Sequence, residues 1–411
     1  MQTHDFTHFK LSKLILRALA EQGYTEPTDI QRAAIPEVLA GKDLMATAQT
    51  GTGKTAAFSL PMLHMLSGRS RGRSTHIRAL ILTPTRELAL QIDQSLRDYG
   101  RHLPLRSTVV LGGVSSVSQI KALRKNPDIL VATPGRLIDL VGQGHVRLNQ
   151  VEMLVLDEAD RMLDMGFVRD VRRIVAKTPR SRQTMLFSAT LTGAIAGLAS
   201  DMLQDPTHVA VDPASSVSGN IAQKVLFVEQ SHKLKLLASV LNNKDVGRTL
   251  VFTRTKHGAE RVMRWLAAKG ISADSIHSNK NQKERQHALT SFDKGRVRVL
   301  VATDIVARGI DVDGISHVVN YELPNDPESY VHRIGRTARA GADGTALSFC
   351  AFQEVAMLKA IEKLTKCSLT LVDDHPYHSP TIGTLGAGKS ALRSSSRRRL
   401  GPRRRSGRRS R

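Results

Sequence analysis

A glycine-rich segment followed by lysine and threonine is the first group of residues that could do chemistry. The apolar run 44–48 stops at Gln49-Thr50-Gly51-Thr52-Gly53, and Lys54-Thr55 begin a segment whose apolar residues recur at helical spacing. A strand, a glycine-rich turn and a helix N-terminus offer backbone N–H groups and positive potential to an anion, and a lysine adds a full charge. We expect this segment to bind nucleotide phosphates, with Thr55 placed to hold Mg²⁺.

The strict form of this pattern, GxxxxGK[ST], is found elsewhere in the chain. GTLGAGKS at 383–390 fits every position, whereas Ala48 replaces the first glycine of the earlier segment. No strand pattern precedes the second copy and no amphipathic pattern follows it, and the motif is informative only between a strand and a helix. We therefore predict that Lys54 is the nucleotide lysine and that 383–390 is a coincidence in a flexible tail.

Two further sets of charged residues complement a phosphate site. Asp157 and Glu158 end an apolar run, where one carboxylate could hold Mg²⁺ through water and the other could orient or deprotonate an attacking water. Such a pair is more often a helix cap, but a phosphate loop in the same sheet favours catalysis. Arg333, Arg336 and Arg339 recur at every third position. This spacing suits a solvated or phosphate-binding face, or arginines that stabilise transition-state charge from a second domain.

Apolar runs that alternate with helical patterns predict the elements that position these residues. The runs 78–83, 107–113, 128–133, 151–160 and 183–190 are continuous, which indicates a parallel sheet covered on both faces. The alternation lapses near the middle of the chain and then restarts, so a second α/β domain follows. Because ligands of such sheets bind at the carboxyl ends of the strands, we expect the polar residues there to surround one site.

The same patterns divide the chain into five segments. We predict that residues 1–42 form helices belonging to the first domain, that 43–207 form the rest of that domain, and that 208–220 form a flexible linker. Residues 221–372 should form the second domain. Residues 373–411 have little apolar content and many arginines, so we predict a disordered tail.

Composition points to a polyanionic partner in a reducing compartment. Lys+Arg number 60 against 37 Asp+Glu, a net charge of +23, and ten arginines follow the last acidic residue, Asp374. The two cysteines, Cys350 and Cys367, stand apart without a metal-ligand pattern, so a disulfide or metal site is not indicated. With no apolar run of membrane-spanning length and no signal peptide, we expect a cytoplasmic protein.

Nine short motifs in a fixed order carry a family resemblance. GYTEPTDIQ (23–31) is followed by ATAQTGTGKT (46–55), PTREL (84–88), GG (112–113), TPGR (133–136), DEAD (157–160), SAT (188–190), ATDIVARGID (302–311) and HRIGRTARAG (332–341). The chain thereby resembles the DEAD-box ATP-dependent RNA helicases over about residues 5 to 370. The resemblance implies two tandem RecA-like domains, ATP and Mg²⁺ as cofactors, RNA as partner and a monomeric core. It also implies RNA-stimulated ATP hydrolysis between the domains, coupled to local unwinding of short duplexes.

The resemblance also assigns roles around the nucleotide. Gln31 matches the adenine reader, which implies preference for ATP over GTP, with Phe6 and Tyr24 available for stacking and Thr28 supporting the loop. Gln49 to Thr55 handle phosphate and Mg²⁺, Asp157 resembles the Mg²⁺ ligand and Glu158 the catalytic base. Arg333 and Arg336 match the arginine fingers, and Asp311 a ribose contact. The residues matching those that couple hydrolysis to RNA binding or support the site are Asp160, Ser188, Thr190, His332 and Arg339.

RNA should lie across both domains, away from the nucleotide. The segments matching RNA contacts contain glycine N–H groups, hydroxyls and arginines, which suit phosphates and 2′-hydroxyls rather than base edges. We therefore expect sequence-independent binding. These residues are Pro84, Thr85, Arg86, Gly112, Gly113, Thr133, Pro134, Gly135, Arg136, Thr253, Arg254, Thr303 and Arg308.

Two departures and two alternative functions qualify the resemblance. Ala48 replaces the first glycine of the phosphate loop, which is usual for this resemblance. Ala338 stands where many relatives have glycine, and a methyl group is tolerated there if the local φ is negative. A DNA-directed motor of the same architecture and a non-enzymatic RNA binder driven by the tail are the competing functions. The adenine-reading segment and the DEAD spelling at 157–160 argue against the first, and the set of Lys54, Glu158 and Arg336 argues against the second. We expect the tail either to anchor structured RNA or merely to solubilise the chain. By analogy alone, the compact chain looks most like the RhlE-like bacterial subgroup, with roles in ribosome assembly or RNA turnover.

Overall fold

The computed structural model describes residues 5–48, 51–68, 76–211, 221–307, 312, 314–338 and 342–386. These residues form two parallel sheets of seven strands each, one per domain. The first sheet has the order β3-β4-β2-β5-β6-β1-β7. Its strands are β1 (Leu44–Thr47), β2 (Ala79–Leu82), β3 (Ser107–Val110), β4 (Ile129–Ala132), β5 (Met153–Leu156), β6 (Gln183–Ser188) and β7 (Thr207–Ala210).

Nine helices in the described part accompany the first sheet. They are α1 (Lys13–Glu21), α2 (Asp29–Leu39), α3 (Lys54–Gly68), α4 (Arg86–Tyr99), α5 (Ser116–Leu123), α6 (Pro134–Gly142), α7 (Ala159–Asp164), α8 (Val168–Val175) and α9 (Gly193–Met202), and a 3-10 turn covers Phe6–Phe9. Strand β5 shows why the helices lie on both faces. Met153 and Val155 belong to one apolar cluster and Leu154 and Leu156 to another, because successive side chains of a strand point to opposite faces. Both faces are therefore buried, as the continuous apolar runs predicted.

The second sheet has the order β10-β11-β9-β12-β13-β8-β14. Its strands are β8 (Ile221–Phe227), β9 (Thr249–Thr253), β10 (Ala273–Ile276), β11 (Val299–Thr303), β12 (His317–Asn320), β13 (Gly344–Cys350) and β14 (Thr370–Leu371). The accompanying helices are α10 (Lys233–Leu241), α11 (Lys256–Ala268), α12 (Gln282–Asp293), α13 (Asp304–Ala307), α14 (Pro327–Ile334), α15 (Val355–Thr365) and α16 (Pro380–Gly386), with 3-10 turns at Gln230–His232 and Phe352–Glu354. The predicted fold class, α/β with two tandem parallel-sheet domains, is confirmed.

The predicted linker boundary is wrong by three residues. We placed the linker at 208–220, but β7 runs to Ala210 and pairs in parallel with β1, with His208 opposite Met45. The edge position explains the error, because Val209 is the one buried residue of this four-residue strand and the apolar run 209–211 is too short to predict a strand. Residues 212–220 lie outside the described part.

The predicted tail boundary is wrong by at least fourteen residues. We expected disorder from 373, yet residues 373–386 pack on the second domain. The Ser379 N–H donates to Phe227 O at 3.0 Å, and Ile382 on α16 is 1% exposed within an apolar cluster. Composition predicted disorder because few apolar residues occur here, whereas contacts with β8 supply the order. Residues 387–411, which hold the ten arginines, lie outside the described part.

Candidate active site and nucleic-acid interface

The phosphate loop lies between β1 and α3, at the carboxyl edge of the first sheet. Gly51 and Gly53 have φ of 84° and 92°, a left-handed conformation that other residues adopt only with strain. Lys54 is 7% exposed, and its Nζ donates to Ala48 O at 2.8 Å. The ammonium is therefore held over the loop that would surround a phosphate. The predicted contacts Gln49 and Thr50 lie outside the described residues.

The segment before α2 is bonded to this loop. Thr28 Oγ1 donates to Thr52 O at 2.7 Å. Gln31 Nε2 donates to Gly53 O at 3.1 Å, while its Oε1 accepts the Thr28 N–H at 3.0 Å. A Cβ at Gly53 would overlap the Gln31 amide and displace it, and the φ of 92° favours glycine there in any case. Thr28 and Gln31 thus support the loop, and adenine reading by Gln31 stays a prediction.

The two aromatic residues expected to stack on adenine differ in exposure. Phe6 is 4% exposed and packs in the core, whereas Tyr24 is 42% exposed. Both line a cavity of about 510 Å³ together with Thr25 and Glu26. The structure therefore brings them together beside one cavity, and stacking on a base stays a prediction.

Asp157 follows β5 and faces Lys54. Burial raises the pKa of Asp157 to about 7, with the Lys54 charge opposing and the Glu158 charge adding to the rise. A neighbouring divalent cation would favour the ionised carboxylate. The described residues contain no group of three or more His, Cys, Asp or Glu that could hold a metal. Mg²⁺ is usually bound by one or two carboxylates together with substrate phosphates and water. The Asp157 carboxylate and the Thr55 hydroxyl fit this donor set.

Glu158 stands where two domains meet. Burial raises the pKa of the Glu158 carboxyl, but the charges of Arg161, Arg336 and Lys54 outweigh it, so its pKa lies below the ordinary value. Its φ is 52°, a left-handed backbone that costs a non-glycine residue about 1 kcal/mol or more. The Arg161 guanidinium donates to the Glu158 carboxylate, and both side chains are buried. Sequence reasoning missed Arg161, although its spacing three residues after Glu158 places both on one helical turn.

The residues expected to couple hydrolysis to RNA binding lie next to one another. Asp160 Oδ2 accepts the Ala189 N–H at 3.1 Å, which joins α7 to the segment after β6. Ser188 Oγ donates to Thr190 O at 2.8 Å within that segment. Asp160, Ser188 and Thr190 thus form one contact between neighbouring strand ends.

The arginine-finger prediction needs a correction at Arg333. Its Nε and Nη2 donate to the two carboxylate oxygens of Asp304 at 2.6 and 2.8 Å. Its Nη1 donates to Asn320 Oδ1 and Glu322 O, and the guanidinium lies 5.0 Å from the Phe252 ring centroid. The side chain is 1% exposed. Because its donors are engaged inside the second domain, Arg333 is not placed to reach a phosphate.

Arg336, in the same motif, lies close enough to the first domain for its charge to act on Glu158. Its charge lowers the pKa of Glu158 in the first domain, and its Nε donates to His332 O at 3.2 Å. His332 therefore supports Arg336 through its backbone. The predicted site residues Arg308, Asp311 and Arg339 lie outside the described residues.

Ala338 does not have the negative φ at which we expected a methyl group to be tolerated. Its φ is 56°, in the left-handed region. This conformation costs an L-residue with a Cβ roughly 1–2 kcal/mol. The alanine is therefore strained, directly after the turn that carries Arg336.

A groove of about 550 Å³ on the other side of the cleft is lined by both domains. Seven predicted RNA contacts line it, namely Pro84, Thr85, Arg86, Gly112, Thr133, Gly135 and Arg136. Arg86 lies among other charged side chains there. Burial lowers the pKa of the Arg86 guanidinium, the charges of Arg285 and Arg136 lower it further, and the charge of Glu87 opposes them. A Cβ at Gly113, which has φ 71°, would overlap the Arg86 guanidinium. Clustered arginines and accessible backbone suit an RNA phosphate chain.

Residues from the second domain complete the groove and were missed. Ser278, Arg285 and Val306 line it, and the buried Glu87 accepts hydrogen bonds from Gln282 at 3.3 Å and Arg285 at 3.5 Å. These contacts join the domains on the predicted RNA side, as Arg336 and Glu158 approach on the ATP side. These residues are recognisable only from contacts between the two domains, which no local sequence motif indicates.

The remaining predicted RNA contacts lie at strand and helix ends. Pro134 begins α6, and Thr303 ends β11 with 8% exposure. Thr253 is fully buried and its hydroxyl donates to Thr255 O, so the structure does not place its side chain in the groove. The Arg254 N–H donates to Glu322 Oε2 at 2.8 Å.

These features define a class of protein. A phosphate loop and acidic pair in one α/β domain face an arginine of a second α/β domain, and a basic groove crosses both. A nucleotide hydrolase whose site is split between two domains can couple hydrolysis to their movement.

Comparison with known proteins gives the family. A DEAD/DEAH box helicase model matches residues 28–197, and a helicase conserved C-terminal domain model matches 232–341. The chain belongs to the DEAD/DEAH box helicase family. It is 42% identical over 364 residues to the DEAD-box ATP-dependent RNA helicase CshA of Bacillus subtilis (strain 168), covering 89% of this chain and 73% of that protein. It is 40% identical over 384 residues to the ATP-dependent RNA helicase CshA of Listeria monocytogenes, covering 93% and 72%.

Solved structures show the same architecture. S. cerevisiae Dbp5 bound to RNA and ADP BeF3 superposes with a TM-score of 0.81 at 29% identity, covering 93% of this chain and 100% of that one. The DEAD-box helicase Mss116 bound to ssRNA and UDP-BeF gives 0.82 at 26% identity, covering 92% and 81%. The predictions of an ATP-dependent RNA helicase, of ATP with Mg²⁺ and of RNA as partner are confirmed. None of the described helices is long and apolar enough to cross a membrane.

Proposed function

We propose that ATP is hydrolysed between the two domains by the residues that converge there. Glu158 orients or deprotonates the attacking water, and Lys54 contacts the phosphates. Thr55 and Asp157 would hold Mg²⁺, which supplies neutralisation of phosphate charge when bound. Arg336 reaches in from the second domain and stabilises the charge that develops in the transition state.

One observation carries this proposal, the effect of Arg336 on Glu158. A charge in the second domain lowers the pKa of a carboxyl buried in the first, so the two groups are close in the closed arrangement. Keeping the Glu158 carboxylate ionised is what a general base requires at neutral pH. The site is then complete only when the domains are together.

Closure would also complete the RNA groove. Glu87 contacts Gln282 and Arg285 on that side, and Arg86 and Arg136 line the groove. RNA phosphates bound there would favour the closed state and thereby stimulate hydrolysis. By linkage, ATP would favour RNA binding by the same factor.

Steady-state ATP hydrolysis of the wild type and of Glu158→Gln tests the proposal. Single-stranded RNA should stimulate the wild type and matched DNA should not. Glu158→Gln should hydrolyse little while still binding ATP and RNA, because it keeps the shape and loses the base. Equal stimulation by DNA would contradict the RNA assignment, and unimpaired hydrolysis by Glu158→Gln would contradict its role.

We infer a cytoplasmic, monomeric helicase that acts in ribosome assembly or RNA turnover, with the arginine-rich segment 387–411 raising the local concentration of structured RNA. The finer assignment to the RhlE-like subgroup stays a prediction, and the CshA names of the matched relatives do not support it. Comparing cellular RNA crosslinked to the full chain and to a deletion of 387–411 tests this part. Identical RNA profiles would contradict the role given to the segment.

A further inference from the structure

A buried polar network lies at the carboxyl ends of β9, β12 and β13, outside the residues discussed so far. Lys233 and Glu354 form a fully buried ion pair. Lys233 Nζ also donates to Tyr321 O at 2.8 Å and Phe349 O at 3.2 Å. Glu354 accepts the N–H groups of Leu323 and Ala351 at 3.1 and 2.9 Å. Every charge in this network is satisfied, so it forms a rigid platform.

Glu322 connects this platform to Arg254 and Arg333. Its Oε2 accepts the Arg254 N–H at 2.8 Å, and its Oε1 lies 4.0 Å from Arg254 Nη2. The same guanidinium nitrogen lies 3.9 Å from Glu354 Oε1. The carbonyl oxygen of Glu322 accepts from Arg333 Nη1 at 2.6 Å. Glu322 is 9% exposed, so these bonds are largely shielded from water.

We infer that Glu322 is a positioning residue that fixes Arg254 for contact with the RNA backbone. The inference rests on the proposed function, because it takes Arg254 as an RNA contact. The carboxylate holds the main chain of Arg254 and keeps its guanidinium between two acidic side chains, where it is ordered before RNA arrives. Ordering a side chain in advance removes an entropic cost of binding. Sequence motifs do not reveal this role, because Glu322 lies outside all of them.

The contacts of Glu322 also predict that its substitution affects RNA binding and ATP hydrolysis differently. Glu322 meets Arg254 through its side chain and Arg333 only through its backbone, which substitution leaves in place. Removing the carboxylate should therefore loosen the RNA-side segment and leave the nucleotide side intact. A merely structural role would instead affect both sides together.

RNA affinity and RNA-independent ATPase of the full chain test the inference. Glu322→Ala should weaken binding of single-stranded RNA at least about tenfold, the scale of one lost charge-assisted hydrogen bond. Its RNA-independent ATPase should change less than about twofold. Glu322→Gln keeps an acceptor for the Arg254 N–H and should restore affinity to within about threefold of wild type. Glu362→Ala is the matched control, because that carboxylate also accepts one backbone N–H, from Leu369 at 3.0 Å, away from Arg254.

A double-mutant cycle identifies Arg254 as the mediator. If Glu322 acts through Arg254, adding Glu322→Ala to Arg254→Ala should weaken RNA binding no further. Additive losses would overturn the inference, as would unchanged or tighter RNA binding by a folded Glu322→Ala protein. A wild type that binds RNA but hydrolyses no ATP would reject the proposed function alone, whereas a wild type that binds no RNA would reject both.

Discussion

Substituting Arg161 should shift the pH dependence of ATP hydrolysis to higher pH. Arg161 is the largest of the charges that hold the pKa of Glu158 down against burial. In Arg161→Gln, burial should prevail and the pKa of Glu158 should rise. A hydrogen bond to a charged group is worth about 1.5–3 kcal/mol, which corresponds to a rise of about 1–2 pKa units. A base works only when ionised, so activity on the acidic side should be lost at higher pH than in the wild type.

The assay is kcat for RNA-stimulated ATP hydrolysis measured across about pH 5.5 to 9. The acidic limb for Arg161→Gln should lie about 1–2 units above that of the wild type, with the two profiles converging at high pH. Arg172→Gln is the control, because Arg172 pairs with Asp201 at 2.6 Å on the surface and does not contact Glu158. An acidic limb that does not move, in a folded Arg161→Gln protein, would refute the role assigned to Arg161.

Three further predictions follow from the same structure. Ala338→Gly should relieve left-handed strain and raise the free energy of unfolding by about 0.5–1 kcal/mol, and a lower Tm for this variant would contradict the reasoning. The control Ala360→Gly, at an exposed position in the middle of α15, should lower the free energy of unfolding by about 1 kcal/mol. Because Asp157 without metal has a pKa of about 7, protons and Mg²⁺ compete for it, and Mg²⁺ affinity measured by calorimetry should fall as pH drops below 7; constant affinity between pH 6 and 8 would count against this site. Asp304→Asn removes the charge partner of the buried Arg333 and should destabilise the second domain by about 3 kcal/mol in denaturant unfolding, while a change under about 1 kcal/mol would show that Arg333 is satisfied without it.

The sequence predicted those parts of the site that depend on local chemistry. Gly51 and Gly53 reveal the phosphate loop because only glycine adopts their backbone conformation without strain. Continuous apolar runs such as β5 reveal a sheet buried on both faces, and the acidic pair after β5 then falls at its carboxyl edge. These signals lie within a few residues of the groups that they describe.

The parts that were missed depend on partners distant in the chain. Arg333 shares a motif with Arg336, and only the contact with Asp304 distinguishes a buried structural arginine from one that faces the cleft. Arg285 joins the groove through Glu87, which lies in the other domain. The order of residues 373–386 likewise comes from β8 rather than from their own composition. Local propensity carries no information about such pairings.

The central claim is that one closed arrangement completes both the ATP site and the RNA groove. The most direct test is RNA affinity measured with a non-hydrolysable ATP analogue and with ADP, for the wild type and for Arg336→Ala. We expect the analogue to tighten RNA binding of the wild type by about 5–150-fold relative to ADP, and Arg336→Ala to lose most of this difference. Equal RNA affinity of the wild type with both nucleotides would contradict this coupling between the ATP site and the RNA groove.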